Sequence, residues 1–192
     1  MKKLPLSFFY NQPIVVAKSL LGKILVTNVN GITTGGKIVE VECYSGFDDP
    51  ANHGARGLTE RNRIIFEKGG VVYVYLNYGV HCLLNIVVGE KDYPASVFIR
   101  AIEPMIGIEE MKKRRNVNDI KNLTNGPAKL TKALGIDKSF YGERLDGDRI
   151  SIFSPDKKEN FEIVETTRIG ISKGKDLLRR FYIKSNPFVS KP

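Results

Sequence analysis

Glu40 and Glu42 stand two residues apart in I-V-E-V-E-C-Y, residues 38–44, a run that is otherwise mostly apolar. Side chains alternate across a strand, so Glu40, Glu42 and Tyr44 share one face, and Val39, Val41 and Cys43 share the other. Carboxylates in such a setting are costly to bury unless they are paired or used. One reading is a solvated outer face. The other is a carboxylate held beside an aromatic ring and ready to act as a general base.

A second group of residues lies in V-V-Y-V-Y-L-N-Y-G-V-H-C-L-L-N-I-V-V, residues 71–88. The run is too rich in β-branched and aromatic residues for an exposed helix, and Asn77-Tyr78-Gly79 interrupts it. This predicts a β-hairpin with Tyr78 at its tip. Turn tips favour Asn, Asp, Gly or Ser, because a large ring there has little to pack on. An aromatic tip on a basic chain fits a wedge between stacked bases; a tyrosine folded back on its own sheet is the alternative. If Asn77 pairs with His81, then Tyr73, Tyr75, His81 and Asn85 lie on one face.

Other chemistry is poorly served. Cys43, His53, His81 and Cys82 lack metal-ligand spacing, and adjacent His81 and Cys82 point to opposite faces of a strand, so no metal is expected. Phosphate-loop, dinucleotide and G-x-S-x-G motifs are absent. No cofactor is expected. Lys and Arg outnumber Asp and Glu by 30 to 21, a net charge of +9 over 192 residues. That balance points to a polyanionic partner, nucleic acid first. Phosphate-contact candidates are Arg61 and Arg63, the run Lys112–Arg115, Arg179-Arg180, and the helix start at Gly126-Pro127. The two cysteines read as buried free thiols of a reducing compartment. No apolar run is long enough to span a membrane. A cytoplasmic location follows.

The elements that must position these residues read as one α+β domain over residues 1–192, with a curved, mixed but mostly antiparallel sheet, flanking helices and the protruding hairpin. Helices are expected at 13–21, 60–68, 104–115 and from Gly126-Pro127 to Gly135. Strands are expected at 23–29, 36–44, 96–102, 149–153, 161–164, 168–171 and 181–183.

Taken in order, the segments I-V-E-V-E-C-Y-x-G (38–46), N-H (52–53), R-N-R (61–63) and Y-V-Y-x-x-Y-G (73–79) resemble the 3-methyladenine (alkyladenine) DNA glycosylase family of the mammalian type. N-I (85–86), R-A-I-E-P (100–104), N-G-P-A-K-L (125–130), R-I-G-I (168–171) and R-F-Y…S-N-P-F-V-S (180–190) continue the match. The resemblance implies a monofunctional base-excision enzyme. Such an enzyme flips a damaged purine from double-stranded DNA and hydrolyses its N-glycosidic bond. On these positions it implies that Glu42 activates water and that Arg100 helps to place the water and the nucleotide. Tyr44, His53, Tyr75 and Asn85 would form the base pocket, Asn85 screening against the exocyclic amine of guanine. Tyr78 would fill the gap left in the duplex, and Tyr73, Arg56, Arg61, Arg63 and Lys129 would contact DNA. A monomer, nucleoid-associated, is expected. Two positions depart from the family pattern. Cys43 stands where a small residue is familiar and should face the core, and His81 replaces a bulkier aromatic. A non-catalytic damaged-DNA binder and an RNA-binding module are the competing readings.

Overall fold

The computed structural model describes residues 1–157 and 159–191. Pro13 opens helix α1 (Pro13–Leu20), where its missing N–H costs nothing, and Gly22 follows with φ +78°. The chain then enters β2 (Ile24–Val29) and turns at Asn30-Gly31, both in the left-handed region, into the 14-residue strand β3 (Ile32–Ser45). The hairpin follows as β4 (Val72–Asn77) and β5 (His81–Val87), then β6 (Ala95–Ile106) and helix α2 (Ile108–Arg115). Helix α3 (Pro127–Leu134) has Pro127 at its first turn and Gly135 as a left-handed stop. β7 (Ile150–Ser154), β8 (Ile163–Thr166) and β9 (Arg180–Ile183) complete the set, with the two-residue β1 (Lys2–Lys3) on the outer edge.

These strands form one open sheet in the order β1-β7-β2-β3-β6-β5-β4, with β9 pairing β3 and β8. Every strand pairing among the described residues is antiparallel, so the sheet is less mixed than the sequence predicts. β3 is its axis. One edge of β3 pairs with β2 and then with β9 at Glu40–Glu42, and the other pairs along β6. Val39, Val41 and Cys43 are fully buried in the main core with α1, α3 and β6. A smaller cluster of Ile65, Phe66, Val71, Tyr73 and Val87 sits under the hairpin.

Three predicted elements differ. Residues 104–107 are not helical: β6 runs on to Ile106, with Pro104 opposite Gly36 at a register shift. A Cβ on Gly36 would lie 2.2 Å from the Glu103 carbonyl oxygen, so glycine opposite proline lets the irregular strand continue. The helix starts only after Gly107, at φ +68°. Residues 60–68 contain a single 3-10 turn, Arg63–Phe66. Residues 168–171 are not a strand, because Arg168 and the Ile169 N–H are bonded to carboxylates on and beside β3 instead of to a neighbouring strand. No helix among the described residues is long and apolar enough to cross a membrane.

Candidate active site

The hairpin register is Asn77 opposite His81 and Tyr73 opposite Asn85, as the pattern predicts. Tyr73, Tyr75 and Asn85 therefore face the same cleft. Its volume is about 330 Å3, within the range of small-molecule pockets, and its walls come from the hairpin, the 51–61 loop, β3 and the 170–171 turn. Tyr44, His53, Arg61, Tyr73, Tyr75, Tyr78 and Asn85 line it, together with Asn52, Ser96, Gly170 and Ile171.

The aromatic wall is a stack of rings that hold one another. His53 packs edge-on to Tyr75 with centroids 4.7 Å apart, and Tyr75 lies 5.4 Å from Tyr73. The Tyr73 hydroxyl is 2.9 Å from Nδ1 of His53, and Tyr141 closes against the far side of Tyr73. Tyr73 is only 2% exposed, so it acts from beneath the wall. Asn62, from the R-N-R motif, donates to the carbonyls of His53 and Gly57 and fixes the loop that carries His53. Burial, helped by the nearby Arg61 cation, holds the His53 imidazole below its ordinary pKa and favours the neutral ring. Burial raises the phenols of Tyr44 and Tyr73 and pushes Tyr75 up to about 12, so all three stay protonated donors.

Glu42 lies behind Tyr44, fully buried, and does not itself line the cleft. Tyr44 donates to its Oε2 at 2.7 Å. Its Oε1 accepts the Ile169 N–H at 2.8 Å and faces the Arg100 guanidinium at 3.1 Å. A carboxylate offers about four acceptor sites. These partners take three and leave one acceptor site unused on Oε2, the oxygen that Tyr44 joins to the cleft, in a side chain closed to solvent. Burial raises the Glu42 carboxyl above its ordinary pKa, against the opposing pull of Arg100, the Ile169 N–H and the Tyr44 hydroxyl. The solvated-face reading of this strand is thereby excluded for both Glu40 and Glu42.

The 168–171 turn is locked from below. Arg168 forms a two-pronged pair with Asp49 at 2.6 and 2.8 Å, both side chains fully buried, and its guanidinium lies 4.5 Å from the Tyr44 ring centroid. Burial works to raise the Asp49 carboxyl, but the bonds and charge of Arg168, the Ala51 N–H and Arg179 outweigh it and hold it below its usual range. The sequence reading gave Asp49 and Arg168 no role, since two residues 119 positions apart carry no local signal of pairing.

At the hairpin tip Tyr78 is 89% exposed, and its neighbour Val80 is 71% exposed. Tyr78 has φ +51° and Gly79 φ +72°, the left-handed pair that a tight hairpin turn demands. A tyrosine there is costly in conformation and unpacked, so the tip is not stabilising the sheet. Of the proposed DNA contacts, Arg61 reaches the cleft wall. Arg56 and Arg63 are exposed outside it, Arg63 3.7 Å from Glu60. Lys129 lies on α3 and donates to Asn125 at 2.8 Å. Other expected phosphate contacts turn inward. Arg180 pairs with buried Glu40, Arg179 with Asp49, and Arg114 and Arg115 with nearby side chains and carbonyls. Cys43 is buried in the core, its thiol pushed up to about 11 by burial, while Cys82 is only half-buried. No group of three or more His, Cys, Asp or Glu among the described residues gathers to hold a metal.

An aromatic cleft backed by a desolvated carboxylate, beneath an exposed aromatic tip on a basic chain, has the shape and chemistry to take up a flat ring. The comparison with known families is specific. The model described as Methylpurine-DNA glycosylase (MPG) matches residues 7–187, and the chain belongs to this family. Relatives provisionally named 3-methyladenine DNA glycosylase include one from Clostridium perfringens, 47% identical, covering 95% of this chain and 97% of the relative. Another, from Methanoculleus marisnigri, is 42% identical and covers 98% of each chain. A third, from Chlorobaculum tepidum, is 45% identical over all of this chain and 92% of the relative. These relatives are bacterial and archaeal, so they lend no support to the mammalian-type subdivision expected from the motifs.

Proposed function

We propose that the protein flips a damaged purine out of double-stranded DNA into the Tyr44–His53–Tyr75 cleft and hydrolyses its N-glycosidic bond, leaving an abasic site. The observation that carries this reading is the buried Glu42, coupled through the Tyr44 hydroxyl to a cleft of about 330 Å3. Breaking the bond builds positive charge on the sugar. A carboxylate close by stabilises that charge and takes a proton from the attacking water. The free acceptor site on Oε2 is where that water binds, with Arg100 holding the other oxygen. Electron-rich rings around the cleft favour a cationic lesion such as 3-methyladenine, already a good leaving group. Asn85, 4% exposed and donating to the Tyr73 carbonyl, sits at the cleft floor where it meets the purine edge.

Tyr78 and Val80 fill the space vacated in the duplex. Arg56, Arg61, Arg63 and Lys129 track phosphates, and Tyr73 serves by fixing His53. No lysine lines the cleft among the described residues, so the reaction is simple hydrolysis with no Schiff base and no strand cleavage. The enzyme works as a monomer, without metal or cofactor, on the DNA of the cytoplasmic nucleoid. The test is a duplex carrying one alkylated purine or hypoxanthine, incubated with the protein and then treated with alkali. Cleavage at the lesion is expected. Absence of release from every modified purine would leave a binder instead.

A further inference from the structure

Glu40 shares a face with Glu42, is equally buried, and has no part in the reaction just described. Its Oε1 meets Arg100 Nε at 3.0 Å and Arg180 Nε at 2.8 Å. The remaining partners come from a distant part of the chain. Ser190 donates its backbone N–H to Oε2 at 2.7 Å and its hydroxyl to Oε1 at 2.9 Å, and that hydroxyl lies 3.5 Å from Arg100 Nη2. Arg180 also reaches the Lys191 carbonyl. Arg100 is thus held at three corners, with Nε on Glu40, Nη2 toward Ser190, and Nη1 on Glu42.

We propose that Glu40 and Ser190 are positioning residues that fix the Arg100 guanidinium, so that segment 188–191 belongs to the active-site machinery. An arginine facing one carboxylate alone turns its planar fork to form two parallel bonds. Such a pair on Glu42 would occupy Oε2 as well as Oε1 and leave no acceptor site for water. Glu40 and Ser190 prevent that rotation by claiming the other two guanidinium nitrogens. Glu40 also adds a second negative charge beside Glu42, which works to keep its carboxyl basic. The groups facing Glu42 are Arg100 from β6, Tyr44 and Glu40 from β3, Tyr75 from β4 and Arg168 from the 168–171 turn, while Arg180 of β9 pairs opposite it through the backbone and turns its guanidinium to Glu40. Among the described residues, Glu40 and Ser190 are the hydrogen-bonding partners that hold Arg100 away from Glu42, with the Phe98 ring 5.6 Å from its guanidinium.

Segment 188–191 has its own anchors. Phe188 and Val189 are buried in the core, and Asn186 donates to Glu103 at 3.0 Å and accepts from the Phe188 N–H at 2.9 Å. Ser190→Ala should therefore fold normally. The proposal rests on the glycosylase reading, and single-turnover release of a modified purine from a duplex tests both. For Ser190→Ala we expect release about tenfold slower, lesion-duplex affinity within about twofold, and the acid limb of the pH profile moved to lower pH. Ser190→Thr, which keeps the hydroxyl, should restore rate and profile. Glu40→Gln should show the same shift more strongly. Where it fails to fold, the Ser190 pair decides alone. An unaltered rate and pH profile in Ser190→Ala overturns the positioning role while the enzyme reading stands. Equal loss of rate, affinity and melting temperature, with no shift in the profile, overturns it as merely structural. An unmodified protein that releases no purine defeats both readings.

Discussion

At the residue scale the site turns on one carboxylate whose burial and partners oppose each other. Glu42→Gln keeps the shape and the bonds to Ile169 and Arg100 but removes the proposed base, so single-turnover release should fall by about 10²–10⁴-fold while lesion binding persists. Comparing release with gel-shift affinity checks this; parallel loss of both would make Glu42 structural. The pH profile follows from the same residue. Burial raises the Glu42 carboxyl, and the proposed mechanism needs its ionised form. The acid limb of kcat/KM should therefore lie above the ordinary glutamate range, with activity falling as pH drops through it. A limb at or below that range would contradict the raised carboxyl. Tyr78→Ala removes an exposed ring at the tip and should weaken lesion-duplex binding by about tenfold with little change in melting temperature; unchanged affinity argues against the wedge. Much of this constellation was legible in the residues. Alternation in β3 separated Glu42 and Tyr44 from Cys43, and a hairpin register put Asn85 opposite Tyr73. Long-range partners were not legible. Neither the Ile169 N–H on Glu42 nor the Ser190 bonds to Glu40 leave a periodic trace in the sequence.

At the scale of elements, the site depends on a turn with no secondary structure of its own. Residues 168–171 hold Ile169 on Glu42 and line the cleft only because Arg168 is clamped by Asp49. Asp49→Asn leaves a buried guanidinium without its counter-charge and should destabilise the fold by about 3–5 kcal/mol at neutral pH. The Asp49 carboxyl is held below its unfolded pKa, so its contribution is complete above the unfolded value and fades as pH falls toward the folded one. Denaturant melts should therefore show the gap between wild type and Asp49→Asn widest near pH 7 and closing below about pH 4. A gap independent of pH would mean that the lost interaction is not ionic. The alternation of R-I-G-I imitates a strand because periodicity cannot tell a ladder partner from a buried counter-ion. Pro104 misleads in the same way. Proline usually opens a helix, and only the facing Gly36, far away in sequence, makes room for it inside a strand.

At the scale of the whole molecule, the +9 charge is not spread as the sequence clusters imply. Arg168, Arg179 and Arg180 are spent on the fully buried carboxylates of Asp49 and Glu40, and Arg114 and Arg115 on internal bonds. On the proposed reading the cations left for a duplex are Arg61, which lines the cleft, with the exposed Arg56 on the same loop and Arg63 at the start of the following 3-10 turn, 3.7 Å from Glu60. The open sheet puts that loop and the hairpin tip at the same end, because β4 and β5 form its last two strands and His53 packs directly on Tyr75. Phosphate contacts should therefore be few and local. With about four phosphates neutralised, log affinity should fall with log salt at a slope of about −3.6, roughly a hundredfold between 50 and 200 mM. Replacing Arg56 and Arg63 together with alanine should reduce the slope by about two and weaken undamaged and lesion duplexes alike, since phosphates carry no sequence information. Replacing Lys112 and Lys113 on α2, which do not line the cleft, should leave the slope unchanged. Fluorescence-anisotropy titrations across salt decide between the two surfaces. A slope that follows the α2 lysines instead would put the duplex on a surface that does not line the cleft and would contradict this reading.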